Sequence, residues 1–121
     1  MGGLGPVPVG RCLAGAALMF MLPAAGPARA PADAASRVHT IVIDQMAFGK
    51  APANARVGDT ILWVNKDMFR HTATARNKAF DVDLKPGASA RVTLKQPGVL
   101  SYYCRYHPGM TGSFKVAEQG R

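Results

Sequence analysis

Residues 37–117 are built from short runs in which apolar and polar side chains alternate at period two, several of them bounded by glycine or proline. Val38, Thr40 and Val42 oppose His39, Ile41 and Ile43, Phe80 and Val82 alternate with aspartates, and Ala90, Val92 and Leu94 alternate with polar residues. Successive side chains of a strand point to opposite faces, so this rhythm makes half-buried sheets and no helical stripe. Ile61-Leu62-Trp63-Val64 follows a Gly58-Asp59 turn, with Trp63 as the expected core anchor, and Pro86-Gly87 and Pro97-Gly98 mark further tight turns. Seven to eight short strands in roughly 85 residues predict an all-β antiparallel sandwich. An immunoglobulin-type domain shares that rhythm, so the chemistry at one end of the strands has to separate the two.

Ahead of this domain, Arg11 precedes the apolar run Cys12 to Leu22, and Ala28-Arg29-Ala30 supplies small residues two apart. That is the pattern of a secretory signal over residues 1–30, cut after Ala30. The run ends at Pro23, short of the ~20 residues needed to span a bilayer, so no stable membrane insertion is expected after cleavage. Residues 31–36 then form a flexible leader, 37–117 one domain and 118–121 a tail. The expected location is the periplasm.

Fifteen basic residues stand against seven acidic ones, and removing Arg11 and Arg29 leaves a net charge of +6. Those charges are scattered singly, without the basic stripe that nucleic-acid binding favours, so no nucleic-acid partner is expected. A docking bias toward acidic protein surfaces fits better. Cys104 is the one cysteine left after cleavage, in a compartment where disulfides normally form. A lone thiol there has to be buried, catalytic or bound to a metal.

Cys104-Arg105-Tyr106-His107-Pro108-Gly109-Met110 places a thiolate, an imidazole and a thioether three residues apart, and His71 lies 33 residues upstream of Cys104. In the preceding run Leu100, Tyr102 and Cys104 share one face, so Cys104 points inward with the core set. Singly, each donor has a plain structural reading: a buried cysteine is a small hydrophobe, a methionine is core filler, a histidine beside proline is a turn residue. Together, two imidazoles, one thiolate and one weak thioether suit a trigonal copper site with a long axial sulfur. Zinc would close a tetrahedron and takes a thioether poorly. His39, at a strand start with no converging partners, reads as an edge residue, and Met46 and Phe48 read as core.

The segment Tyr103 to Gly112 resembles the ligand loop of the cupredoxins, the blue copper proteins, and its two-residue gaps are similar to those of amicyanin. Val57 to Asn65 followed by His71-Thr72 resembles the family's other ligand region. The resemblance implies a Greek-key β-sandwich and one copper ion per chain bound by His71, Cys104, His107 and Met110. It further implies one-electron transfer through the edge of His107, with Phe69, Pro108 and Met68 in an apolar patch around that port. Arg70 stands where amicyanin has proline, which would bring a positive charge to the port. Thr72 stands where many relatives have an asparagine tying the ligand loops together, so its hydroxyl would have to make that bridge.

The leading function is a monomeric electron carrier serving a redox protein with an acidic docking surface, such as a c-type cytochrome or a dehydrogenase. The alternative is an exported copper carrier or buffer that delivers the metal to an acceptor. A thiol enzyme with Cys104 activated by His107 would lack a third orienting residue and leave Met110 without a role.

Overall fold

A computed structural model describes residues 2–6, 8–10, 15–21, 23, 26 and 35–119. The expected cleavage point after Ala30 lies outside the described residues, as do 12–14 and 22 of the apolar run and 31–34 of the leader. Among the described residues no helix is long and apolar enough to cross a membrane. The domain holds nine strands: β1 Val38–Asp44, β2 Ala47–Phe48, β3 Ala55–Arg56, β4 Thr60–Asn65, β5 His71–Ala75, β6 Asp81–Leu84, β7 Ser89–Thr93, β8 Gly98–Tyr103 and β9 Thr111–Ala117. The short β2 and β3 carry the number past the seven to eight expected.

One sheet has the order β2-β1-β4-β7 and the other β3-β9-β8-β5-β6, so the chain passes repeatedly from sheet to sheet and the two pack face to face. Most pairs are antiparallel, as alternation predicts, but β1 runs parallel to β4 from Val38 beside Thr60 to Ile43 beside Asn65. β3 runs parallel to β9. Parallel neighbours need a crossover connection, and residues 45–59 supply one for β1 and β4. Both expected Pro-Gly turns place glycine at positive φ, 80° at Gly87 and 114° at Gly98, where a side chain would be strained.

Between the sheets lie Ile41, Ile43, Ile61 and Trp63 from one side and Leu100, Tyr102, Phe114 and Val116 from the other, all buried. Tyr102 meets Trp63 edge-on at 5.0 Å and Phe48 at 4.9 Å, the T-shaped arrangement that ring quadrupoles favour. Trp63 is thus the expected anchor, and Phe48 packs partly buried against it. Met46 departs from expectation. Gln45 and Met46 turn the chain between β1 and β2 at φ of 50° and 62°, which swings the Met46 side chain out to 39% exposure.

β5 is the strand that period two does not show. All five residues of His71-Thr72-Ala73-Thr74-Ala75 are buried, polar ones included: β5 is an interior strand, flanked by β8 and β6, and both of its faces are covered.

The end of the sandwich opposite His71 is tied by Asp59, at the start of β4. Its buried carboxylate accepts the N–H of Arg37 at 3.0 Å, the N–H of Arg56 at 3.1 Å and His39 Nε2 at 2.8 Å. His39 therefore joins a structural polar cluster. Burial pushes the Asp59 carboxyl up, but the Arg37 and Arg56 N–H groups and His39 outweigh it and hold it below the ordinary range. A depressed folded-state pKa stabilises the fold above the ordinary carboxylate value of ~3.9, and that stabilisation is lost as pH falls through the folded value. Asp59→Asn should therefore lower the melting temperature by roughly 5 °C at pH 7, with the gap to the parent closing as the pH falls below the ordinary carboxylate range, as a series of thermal melts would read.

Candidate metal centre

Two segments meet at the other end of β4. The first is the loop 66–70 that delivers His71 to the start of β5, and the second is the loop 104–110 that joins β8 to β9. β5 and β8 are antiparallel neighbours, with Thr74 opposite Tyr103 and Ala75 opposite Tyr102. Antiparallel pairing puts the first residue of β5 beside the chain leaving β8, so His71 and Cys104 are brought together by the ladder itself.

Cys104 Sγ lies 3.8 Å from His71 Nδ1 and 3.6 Å from His107 Nδ1. One donor atom from each of the three residues falls within 4.8 Å of the others, a cluster able to hold a metal ion. Metal–nitrogen and metal–sulfur bonds of about 2.0 and 2.3 Å, opened to 110–120°, hold their nitrogen and sulfur roughly 3.5–3.7 Å apart. The His107 separation falls in that span and the His71 one, at 3.8 Å, lies just beyond it, so these donors are spaced for an ion between them. His71 and Cys104 are fully buried and His107 is half-buried, which leaves His107 as the edge facing outward.

Burial alone would push the Cys104 thiol up. The N–H of Thr72, at 3.3 Å from the sulfur, heads the groups that outweigh it and bring the thiol down to about 6. The metal-ligating form is thus the prevailing one at neutral pH. Met110 is buried behind the loop; its N–H donates to the His107 carbonyl at 2.8 Å and its carbonyl accepts the Cys104 N–H at 3.1 Å. The loop closes on itself through Met110, so all three of its sulfur and nitrogen bearers belong to one compact turn.

Sequence reasoning missed the residue that orients His71. Asp67 Oδ2 lies 2.8 Å from His71 Nε2, with both groups buried. The N–H of Met46 and the His71 ring hold Asp67 below the usual carboxylate range, so it is an acceptor only. Nε2 must then carry the proton, which leaves the Nδ1 lone pair turned toward Cys104. The signal was available: a ligand imidazole ordinarily gives its second N–H to a carboxylate, and Asp67 is the acidic residue of the same loop. Asn65 shapes that loop, accepting the Asp67 N–H at 2.9 Å and donating to the carbonyls of Phe69 at 2.8 Å and Leu84 at 2.9 Å.

Thr72 makes the bridge expected of it. Its hydroxyl accepts the Arg105 N–H at 2.8 Å and joins the two ligand segments. Arg70 does not act as expected. It forms a two-pronged pair with Asp83 at 2.7 and 2.9 Å, so its positive charge is offset where it stands. Met68 and Phe69 are 78% and 50% exposed, and Pro108 is exposed beside His107, which places the apolar patch on the surface.

If Asp67 holds the imidazole in this tautomer, Asp67→Asn should weaken metal binding by about 10–100-fold with the fold intact, measured by competition with a chelator. An unchanged affinity would leave Asp67 as a loop-forming residue only.

No protein-family profile matches the chain, and no curated protein matches it in sequence. Its structure is similar to that of a purple cupredoxin from Nitrosopumilus maritimus, at a TM-score of 0.58 and 24% identity, over 64% of this chain and 98% of the other. A reduced tryptophan-to-tyrosine variant of amicyanin matches at a TM-score of 0.58 and 21% identity, over 65% of this chain and 81% of its own. The copper-containing nitrite reductase of Thermus scotoductus matches at a TM-score of 0.59 and 28% identity, over 67% of this chain and only 22% of that enzyme. With the ligand segments of the sequence and the cluster of His71, Cys104 and His107 at one end of the sandwich, the chain is a cupredoxin in fold.

Proposed function

We propose that the protein is an exported carrier of single electrons that works with one copper ion held by His71, Cys104 and His107, with Met110 as a weak fourth donor. The observation that carries the reading is the triangle of one sulfur and two Nδ1 atoms, two of its corners buried and His107 half-buried, spaced for an ion and fixed by a stiff sandwich. Bound there, copper would supply one reversible electron between its two valences.

The protein's own groups fit that task. The Cys104 thiolate and the Met110 thioether are soft donors that suit the lower valence, while the two imidazoles suit both. Neither valence therefore demands a new arrangement, and the Asp67 bond to His71 and the Thr72 bridge to Arg105 resist one. Half-buried His107, with exposed Pro108 beside it, is the route out to a partner, and exposed Met68 and Phe69 on the other ligand loop would add an apolar face. An apolar contact face on a chain of net positive charge suits a redox protein with an acidic rim, such as a c-type cytochrome or a dehydrogenase. Full burial of His71 and Cys104 favours electron transfer over copper delivery, since an acceptor taking the metal would have to reach the ligands. The nitrite reductase shares only this domain, so a catalytic role is not part of the proposal.

Adding Cu(II) to the purified protein should produce an intense visible colour at one ion per chain, and Cys104→Ala should abolish it; a parent protein that stays colourless would sink the reading. Met110→Leu should keep the copper and raise its reduction potential, because leucine donates nothing to the doubly charged ion and makes its surroundings more apolar. Voltammetry that finds the same potential would remove Met110 from the ligand set.

A further inference from the structure

The aspartates that alternate through β6 have no part in holding the donors, yet both ligand segments reach across to them. β6 is the edge strand of the five-stranded sheet, with Asp83 opposite Thr72 and Asp81 opposite Thr74. Arg70, next to His71, grips Asp83 with two hydrogen bonds. Tyr106, next to His107, donates its hydroxyl to Asp83 Oδ2 at 2.7 Å. Arg105, next to Cys104, donates Nε to Asp81 Oδ1 at 3.1 Å.

A second line of bonds runs beneath the first. The Arg105 N–H donates to Thr72 Oγ1 at 2.8 Å, Thr72 and Thr74 hydroxyls meet at 2.9 Å, and Thr74 donates to Asp81 at 2.8 Å. Since the Thr74 proton goes to Asp81, the Thr72 hydroxyl has to donate to Thr74, and all protons in the line point the same way. Two guanidinium groups also lie over the Tyr106 ring, Arg70 at 5.8 Å and Arg105 at 5.5 Å from its centroid.

A lone surface ion pair contributes little, but a two-pronged arginine pair inside a network is the exception. Tyrosine has two side-chain torsions, so a ring held against two guanidinium groups and bonded at its tip also fixes the backbone that bears it. The next residue on that backbone is His107.

We propose that Tyr106 is a positioning residue for His107: bonded to Asp83 and held against Arg70 and Arg105, it pins the 104–110 loop over β6 and sets where the His107 nitrogen stands relative to the Cys104 sulfur. The spectroscopic arm of the test rests on the copper reading, and the exchange arm does not. Tyr106→Phe removes one hydroxyl and changes no charge, so it isolates the bond to Asp83. In the metal-free protein, amide hydrogen exchange in residues 105–110 should accelerate about tenfold, with the sandwich core unaffected. In the copper-loaded protein the ratio of the thiolate-to-copper absorption bands should change at unchanged stoichiometry. Asp83→Ala, which also frees Arg70, should do at least as much, and the double variant should match Asp83→Ala, because the bond to Tyr106 is already gone in it.

Unchanged exchange overturns the proposal, and so does faster exchange with an unaltered Cu(II) spectrum, which would make the bond structural only. A double variant whose effects simply add would also overturn it, by showing that Tyr106 and Asp83 act separately. Failure of the parent chain to take up copper would remove the electron-carrier reading, and the exchange result would then decide whether Tyr106 pins the loop.

Discussion

The metal end of this protein depends on the antiparallel ladder between β5 and β8. Two rungs, Thr74 with Tyr103 and Ala75 with Tyr102, carry the backbone register that sets His71 beside Cys104 across 33 residues of chain. A slip of one residue would turn Leu100, Tyr102 and Cys104 to the other face of the sheet and point the thiol away from both imidazoles. The aromatic packing of Tyr102 against Trp63 and Phe48 opposes such a slip, so the core that stabilises the sandwich also maintains the register of the site.

Around the donors, polar groups are disposed so that each one leaves the next a single option. Asp67 accepts from Met46 and from His71, which gives the imidazole one tautomer and directs Nδ1 at the sulfur. Asn65 accepts from Asp67 and donates to two carbonyls, which satisfies a fully buried amide and shapes the loop. Buried polar groups without partners would be costly in such surroundings, and here partnership and orientation come from the same bonds. Charge follows a parallel logic at the surface. Arg70 and Arg105 border the site but are paired with Asp83 and Asp81, so the basicity of the chain is not concentrated at its exit.

Much of this was legible along the chain. Alternation separated the two faces of β1, of which the structure buries Ile41 and Ile43, and identified the inward face of β8 and the residue after it, with Tyr102 and Cys104 buried. The unpaired cysteine and the spacing of His107 and Met110 behind it singled out the ligand loop, and Thr72 was recognisable as a bridge. Less legible was β5, whose threonines and alanines give no apolar rhythm because a strand covered on both faces has no solvent side to mark. Met46 was misplaced because its exposure follows from a turn at positive φ, a backbone property that a methionine does not announce. The charge of Arg70 was read without its partner, since Asp83 lies 13 residues away and arrives only through the β5–β6 pairing.

Composition and local order by themselves determined an all-β domain, its inward faces, its Pro-Gly turns and a set of soft and imidazole donors with the spacing for copper. These depend on the chemistry of single residues and on the two-residue period of a strand, both of which can be read without knowing what touches what. The tertiary structure decided which sheet each strand joins, the parallel course of β1 and β4, the pairing of Arg70, and the carboxylate behind His71. Those are contacts between segments distant in the chain, and the physical reason they escape a linear reading is that each is chosen by backbone register and burial, which exist only once the two sheets have closed on one another.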